Sequence, residues 1–137
     1  MVTVYDVIPG KLVSNVAKRL KAMGIPAPTY AGKVKSGAHN SRLPQQKDIW
    51  HIRLAAILRN AYVHGTVGVG KLRSHFGGKK ARGVKPEEKR KAGGSMIRKG
   101  MQALEAAGLM TKKKKGREIS AKGKKLLDEA AKEVSSQ

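Results

Sequence analysis

Residues 48–63 read DIWHIRLAAILRNAYV, and a helix built from them is apolar on almost its whole circumference. Its main apolar stripe, at steps of three and four residues, consists of Trp50, Leu54, Ile57 and Ala61. Arg53, Asn60 and His64 share one narrow polar stripe, while Arg59 points elsewhere. Because a helix that is apolar nearly all round is normally covered by others, this segment predicts a central helix.

The chain before this segment predicts one further helix and a long loop. Apolar residues recur at helical spacing over 9–23, with Pro9 at the first position and Gly24 just beyond the last. Residues 25–47 lose this periodicity and contain several prolines and glycines, which is typical of an ordered or partly ordered loop. A length of 137 residues fits one domain, with a helical part at 1–47 and a second part at 48–137.

The chain after the central helix predicts a short helix over Val69, Leu72 and Phe76, and then a glycine-rich basic loop at 77–94. Within that loop, Glu87 and Glu88 are expected to begin a short helix after Pro86.

Three more elements complete the chain. Ser95 is expected to cap a helix at 96–107, the segment 109–120 to form a two-stranded hairpin around Gly116, and Ser120 to cap the last helix. A helix-turn-helix followed by a hairpin is the winged-helix plan. We therefore predict a mainly α, winged-helix-like domain around a central amphipathic helix, with one small β-hairpin.

The charge of the chain points to a polyanionic partner. Thirty Lys and Arg oppose nine Asp and Glu, which leaves a net charge of +21. Between positions 7 and 86 there is one acid against sixteen basic residues, whereas the last helix is nearly balanced. Self-repulsion of this size disfavours a compact state unless a polyanion neutralises it. Nucleic acid is the first candidate and an anionic membrane surface the second.

Other classes of function lack support in the sequence. There is no cysteine, which excludes disulfides, thiol catalysis and cysteine zinc sites. The longest apolar run, Leu54–Leu58, is far shorter than the ~20 residues that span a bilayer. The four histidines show no metal-ligand spacing, and Gly65–Lys71 resembles a Walker A loop but is followed by Leu72 instead of Ser or Thr. We expect an intracellular protein with no catalytic residues, metal, cofactor or membrane-spanning segment.

The candidate nucleic-acid contacts are basic residues and one glycine-rich helix start. Glycine admits a close sugar-phosphate chain, the free N–H groups of a helix start bind anions, and Lys and Arg neutralise phosphates. With only five aromatic residues, we expect recognition of backbone shape and charge, with little base readout. The predicted RNA-binding residues are Arg53, Arg59, Lys71, Arg73, Lys79, Lys80, Arg82, Lys85, Lys89, Arg90, Lys91, Gly93, Gly94, Ser95, Arg98, Lys113, Lys114 and Arg117.

A set of short motifs along the whole chain resembles one known family, the archaeal and eukaryotic type of small-subunit ribosomal protein nineteen. In chain order these motifs are Asp48–Arg59, Tyr62, Gly68-Val69, Phe76-Gly77-Gly78, Arg82-Gly83, Pro86, Ala92-Gly93-Gly94-Ser95, Ile97-Arg98, Gln102-Ala103-Leu104-Glu105, Gly116-Arg117 and Gly123. Where the family tends to have tyrosines this chain has His51 and Ile52, which argues against base stacking there.

The resemblance implies a mostly helical, cytoplasmic structural protein in the head of the small ribosomal subunit, bound as a monomer to ribosomal RNA and next to other ribosomal proteins. It implies no membrane and no small-molecule substrate as partner. It also implies a role in subunit assembly and in maturation of the precursor RNA, and it places RNA contacts at Arg53, Arg59 and Arg98. The alternative is a winged-helix DNA-binding regulator or chromatin protein, which would need a dimerisation surface to read two half-sites.

Overall fold

A computed structural model describes residues 2–31, 33–44 and 48–136. Five α-helices and two antiparallel hairpins make up the regular structure of these residues, after a short 3₁₀ turn at Val4–Asp6. In chain order the elements are α1 (Pro9–Ala22), α2 (Ile49–His64), α3 (Val69–Phe76), β1 (Gly78–Arg82), β2 (Lys85–Arg90), α4 (Gly94–Ala106), β3 (Met110–Lys113), β4 (Gly116–Ile119) and α5 (Ala121–Ser135).

Helix α2 is the centre of the core, as its sequence predicts. It packs against α1, α4, α5 and β4, and Leu54, Ile57 and Leu58 are completely buried. Each buried side chain of this size contributes about 1.5–3 kcal/mol. Because α2 is covered on several sides, its few polar side chains lie at the seams between the neighbouring elements.

Helix α4 approaches α2 closely at Gly100. A Cβ at this position would lie 2.9 Å from Leu54 Cδ2 and 3.4 Å from Ile57 Cδ1. The absence of a side chain therefore lets the two helices touch. The contact fixes the start of α4, and with it Arg98, relative to the central helix.

The β3–β4 hairpin confirms the strand pair predicted around Gly116. Met110 pairs with Ile119 and Lys113 with Gly116, whose φ of +113° lies in the left-handed region that favours glycine. An isolated bridge joins Val67, between α2 and α3, to Arg117 in β4. Apart from the β1–β2 hairpin inserted between α3 and α4, the order of helix, bridge, helix, helix and hairpin is compatible with the predicted winged-helix plan.

The segment 77–94 is not a loop, and this prediction was wrong. Residues 78–90 form a second hairpin, β1–β2, in which Lys79 pairs with Lys89 and Gly83 turns the chain with a φ of +69°. Glu87 and Glu88 lie in strand β2 and begin no helix. Both faces of the hairpin are polar, so the alternation of apolar and polar residues that indicates a strand is missing.

The cap of α4 also differs from the prediction. The N-cap is Gly93 and the helix begins at Gly94, so Ser95 lies inside the first turn. The amide of Gly93 donates a hydrogen bond of 2.8 Å to the carbonyl of Ser36. The N–H group of the N-cap is therefore paired with a residue outside the helix. That residue belongs to the segment 33–44, for which the sequence predicts no regular structure.

Residues 33–44 lie against the base of the β1–β2 hairpin. Gly37 forms a bridge with Ala92, and the ring of His39 packs where side chains at Gly37 and Gly78 would otherwise lie. Gly32 and residues 45–47 of the predicted loop lie outside the described residues. The described part of this segment is thus held against the start of α4.

Candidate nucleic-acid interface

The Arg53 side chain on α2 is half-buried and faces no carboxylate among the described residues. Its guanidinium lies 4.2 Å from the centre of the Phe76 ring, and burial lowers the pKa of Arg53. It also borders an open cavity of about 380 Å³ formed with residues 36–44. A desolvated cation with only an aromatic ring for a partner is a place where an external anion gains energy.

Arg59 and Arg98 are two further arginines without an acid in the described part of the chain. Arg59 on α2 is half-buried, and its Nε atom is covered but makes no hydrogen bond. Arg98 is exposed on the second turn of α4. The covered Nε donor is costly without an acceptor, and the half-exposed remainder of the side chain is the part of Arg59 that an external anion can reach.

The start of α4 is held in place by two neighbouring segments. Arg73 on α3 donates from Nε to the carbonyl of Ala92 at 2.9 Å, and its aliphatic part lies against Gly94. The hydroxyl groups of Ser95 and Tyr30 are 3.4 Å apart. Arg73 and Gly93 therefore have internal roles, while Gly94 and Ser95 remain at the helix end with the free amides.

The β1–β2 hairpin has one face with internal ion pairs and one without. On the first face, the Glu88 carboxylate lies 3.1 Å from both Arg82 and Arg90. On the second face, Lys79 and Lys89 are directly opposite each other, and both are exposed. Like charges in this position repel, which an anion bound between them would relieve.

The remaining predicted lysines are all at least partly exposed and form no ion pair with a described residue, whereas Arg117 is mostly buried and paired. Exposed or half-exposed ammonium groups occur at Lys71, Lys80, Lys85, Lys91, Lys113 and Lys114. The side chain of Arg117 is only 16% exposed and binds the Glu105 carboxylate at 3.0 Å. Arg117 thus joins β4 to α4 and is not a free cation.

The structure therefore brings most of the predicted residues to one side of the molecule. We call this side the basic face: Arg53 of α2, Lys71 of α3, the β1–β2 hairpin and the first turns of α4, whereas Arg59 points away from Arg53 around α2. The lysines at 112–115 form a separate patch at the tip of the β3–β4 hairpin. The polar residues Ser74 and His75 of α3 also lie by the basic face, and sequence reasoning did not select them.

On the opposite side of α2, basic residues either form ion pairs or, on α5, lie in one groove with Asp128 and Glu129. Arg19 on α1 forms ion pairs with Glu133 and Glu129 of α5, and Lys21 binds Asp48 at 2.9 Å. Asp128 accepts a hydrogen bond of 2.9 Å from the Tyr62 hydroxyl. We call this side the paired face.

Neither a membrane span nor a metal cluster occurs in the described part of the chain. Within residues 2–31, 33–44 and 48–136, no helix has the length and hydropathy needed to cross a membrane. The same ranges contain no group of three or more His, Asp or Glu side chains that could hold a metal ion.

Comparison with known proteins gives a consistent result along the whole chain. A family model described as "Ribosomal protein S19e" matches residues 3–137. The protein "Small ribosomal subunit protein eS19" of Aeropyrum pernix is 41% identical over 98% of this chain and 90% of its own length. The proteins of the same name from Haloarcula marismortui and Emericella nidulans are 38% and 40% identical, each over 96% of this chain and 90% of their own length. These names describe ribosomal proteins and no enzyme. The resemblance seen in the motifs is confirmed, and the chain belongs to the ribosomal protein S19e family.

Proposed function

We propose that this protein is a structural component of the small ribosomal subunit that binds ribosomal RNA through its basic face. The observation that carries the proposal is that Arg53, Arg59 and Arg98 have no carboxylate partner in the described residues, although two of them are half-buried. An ion that has lost part of its hydration needs a counter-ion nearby. RNA phosphates are abundant counter-ions for a member of a ribosomal family.

The mechanism is electrostatic docking without chemistry. Arginines offer two parallel N–H donors to a phosphate, whereas lysines act as point charges. The first turn of α4 adds free backbone amides next to Arg98. Contacts on α2, the hairpin and α4 would fix several segments of one folded RNA relative to each other.

The proposal extends to the place of the protein in the cell. As a ribosomal component it would work in the cytoplasm, in the head of the small subunit, as a monomer next to other ribosomal proteins. By holding RNA segments together it would promote subunit assembly and maturation of the precursor RNA. The steep dependence of phosphate binding on salt predicts a log–log slope near −0.7 to −0.9 for each neutralised phosphate.

The test is incorporation into small ribosomal subunits. Arg98→Glu places a negative charge at the helix start but leaves the exposed side chain free of internal contacts, so the fold is expected to persist. Co-sedimentation of this variant with small subunits in moderate salt should be abolished, while its circular dichroism spectrum is unchanged. Lys124→Glu on α5 is the matched control and should sediment normally.

Two results would contradict the proposal. One is normal incorporation of Arg98→Glu together with normal incorporation of Arg53→Gln. The other is a protein found only as a free dimer on duplex DNA, which is the behaviour of the winged-helix regulator considered above.

A further inference from the structure

A small cavity lined by polar residues lies on the basic face between α2, α3 and β2. Its volume is about 310 Å³, at the lower end of the ~300–1,000 Å³ range of pockets that hold small organic ligands. Six polar side chains line it, and none of them is acidic: Asn60, His64, Lys71, Ser74, His75 and Lys89. We call this cavity the Asn60 pocket.

The most buried residue that lines this pocket is Asn60, whose side chain ends in an amide. Asn60 is only 6% exposed, and its side chain makes no hydrogen bond to any described residue. The two polar atoms of this amide are not fully covered, so the amide faces the cavity and is open to a hydrogen-bonding ligand there. The amide both donates and accepts, so a ligand that satisfies it must also offer both a donor and an acceptor.

The rim of the pocket has a different character. Lys71 and Lys89 are exposed ammonium groups, and neither forms an ion pair with a described residue. His64 and His75 are exposed as well. A cationic rim above a neutral donor–acceptor floor matches a ligand with a negative group next to a neutral polar ring.

We infer that the Asn60 pocket receives one unpaired nucleotide of RNA, with its base edge on the Asn60 amide and its phosphate at Lys71 and Lys89. An asparagine amide can form two hydrogen bonds with a base edge. Sequence-specific RNA readers mostly bind bases that are splayed out of loops and bulges, and they often stack them on His or aromatic rings. The inference rests on the proposed RNA-binding function and adds one point of base readout to it.

A phosphate group alone could pair with the lysines of the rim and with the N–H donors of Asn60, but not with the acceptor oxygen of the Asn60 amide. Phosphate oxygens only accept hydrogen bonds, so the acceptor atom of the Asn60 amide would remain without a donor. A base edge supplies donor and acceptor together. The pocket is also formed by three different elements, so a bound nucleotide would join the hairpin to α2 and α3.

The direct test is a titration of the ¹⁵N-labelled full chain with AMP, GMP, CMP and UMP, followed by NMR. Ribose 5-phosphate, which lacks a base, is the matched control ligand. At least one mononucleotide should shift the side-chain NH₂ signal of Asn60 and bind roughly tenfold more tightly than ribose 5-phosphate. Equal binding of ribose 5-phosphate would reduce the pocket to a phosphate site and overturn the inference. An unchanged Asn60 signal with all four mononucleotides would also overturn it.

A pair of variants separates this inference from the proposed function. Asn60→Leu keeps the approximate volume of the side chain and removes an amide that makes no internal hydrogen bond, so it should leave the Tm nearly unchanged while weakening binding to small-subunit ribosomal RNA roughly tenfold. Asn15→Leu, on α1 of the paired face, removes an amide that accepts a hydrogen bond from Arg19, and should leave RNA affinity unchanged. Unchanged RNA affinity of Asn60→Leu would refute the pocket but leave RNA binding intact. Failure of the unaltered protein to bind the RNA would refute the proposed function, whatever the mononucleotides do.

Discussion

The basic face and the paired face lie on opposite sides of the same helix and use their charges differently. On the paired face, Arg19 and Lys21 meet the carboxylates of Glu133 and Asp48. On the basic face, Arg53 and Arg98 have no carboxylate partner among the described residues. The number of cations in a segment therefore says less about binding than whether the fold provides them with anions.

The same distinction holds within the basic face. Arg82 and Arg90 are used internally, because they share Glu88 and hold the two strands of the hairpin together. Lys79 and Lys89, on the other surface of that hairpin, are left without acids in the described part of the chain. The face with Glu88 stabilises the pairing of the two strands, and the face with Lys79 and Lys89 is available to a partner.

The largest expected effect comes from the two half-buried arginines of α2, which have no carboxylate partner among the described residues. The double variant Arg53→Gln and Arg59→Gln should weaken binding to small-subunit ribosomal RNA by roughly 10- to 100-fold for each arginine replaced, as expected for hydrogen bonds to charged groups. Fluorescence anisotropy with labelled RNA measures this. Lys124→Gln with Lys125→Gln on α5 removes the same charge, and an equally large effect there would abolish the distinction between the faces.

A smaller effect is expected from the unpaired lysines of the hairpin. Lys79→Gln with Lys89→Gln should reduce the slope of log K against log salt by about 1.5, since each neutralised phosphate accounts for about 0.7–0.9. Binding measured over a series of salt concentrations gives this slope. An unchanged slope would mean that this surface of the hairpin does not meet RNA. Lys122→Gln with Lys132→Gln is the control and should leave the slope as it is.

Replacement of Arg117 should lower the stability of the fold and leave RNA binding unchanged. Its ion pair with Glu105 is largely covered on the arginine side, so Arg117→Ala should lower the free energy of unfolding by about 1 kcal/mol, measured by urea denaturation. RNA affinity should be almost unchanged. Lys113→Ala at the tip of the β3–β4 hairpin should weaken RNA binding and leave the free energy of unfolding unchanged. If both variants changed the same quantity, paired and free cations would not differ in their roles.

The smallest effect is a pH dependence on the paired face. The hydrogen bond from Arg19 lowers the pKa of Glu133 below its usual value. A carboxyl group with a lowered pKa stabilises the fold above its unfolded pKa, and this contribution disappears as the pH falls through the folded pKa. The Tm of the unaltered protein should thus fall more between about pH 5 and about pH 2 than that of Glu133→Gln. Parallel curves for the two proteins would show that the ion pair adds nothing to stability.

Much of the fold follows from local pattern, and the exceptions have physical causes. Helices α1, α2, α4 and α5 have apolar residues at helical spacing, and Gly116 marks the turn of the β3–β4 hairpin, so the sequence predicts these elements within a few positions. The β1–β2 hairpin has no apolar face and includes Pro86, so its strands are held by pairing and by Glu88 and leave no such pattern.

The interface could be predicted only in outline. An excess of Lys and Arg is visible in the sequence, but pairing is decided by contacts between distant positions. Glu105 lies twelve residues before Arg117 and still neutralises it. Asn60 is visible on the polar stripe of the central helix, yet only the packing of α3 and β2 over it creates a pocket.

The most direct test of the division between the two faces is lysine acetylation, measured by mass spectrometry on the free protein and on the protein within small ribosomal subunits. Our account predicts strong protection of Lys71, Lys79 and Lys89 in the subunit, and little protection of Lys124, Lys125 and Lys132 on α5. Equal protection of both sets, or protection confined to α5, would contradict it.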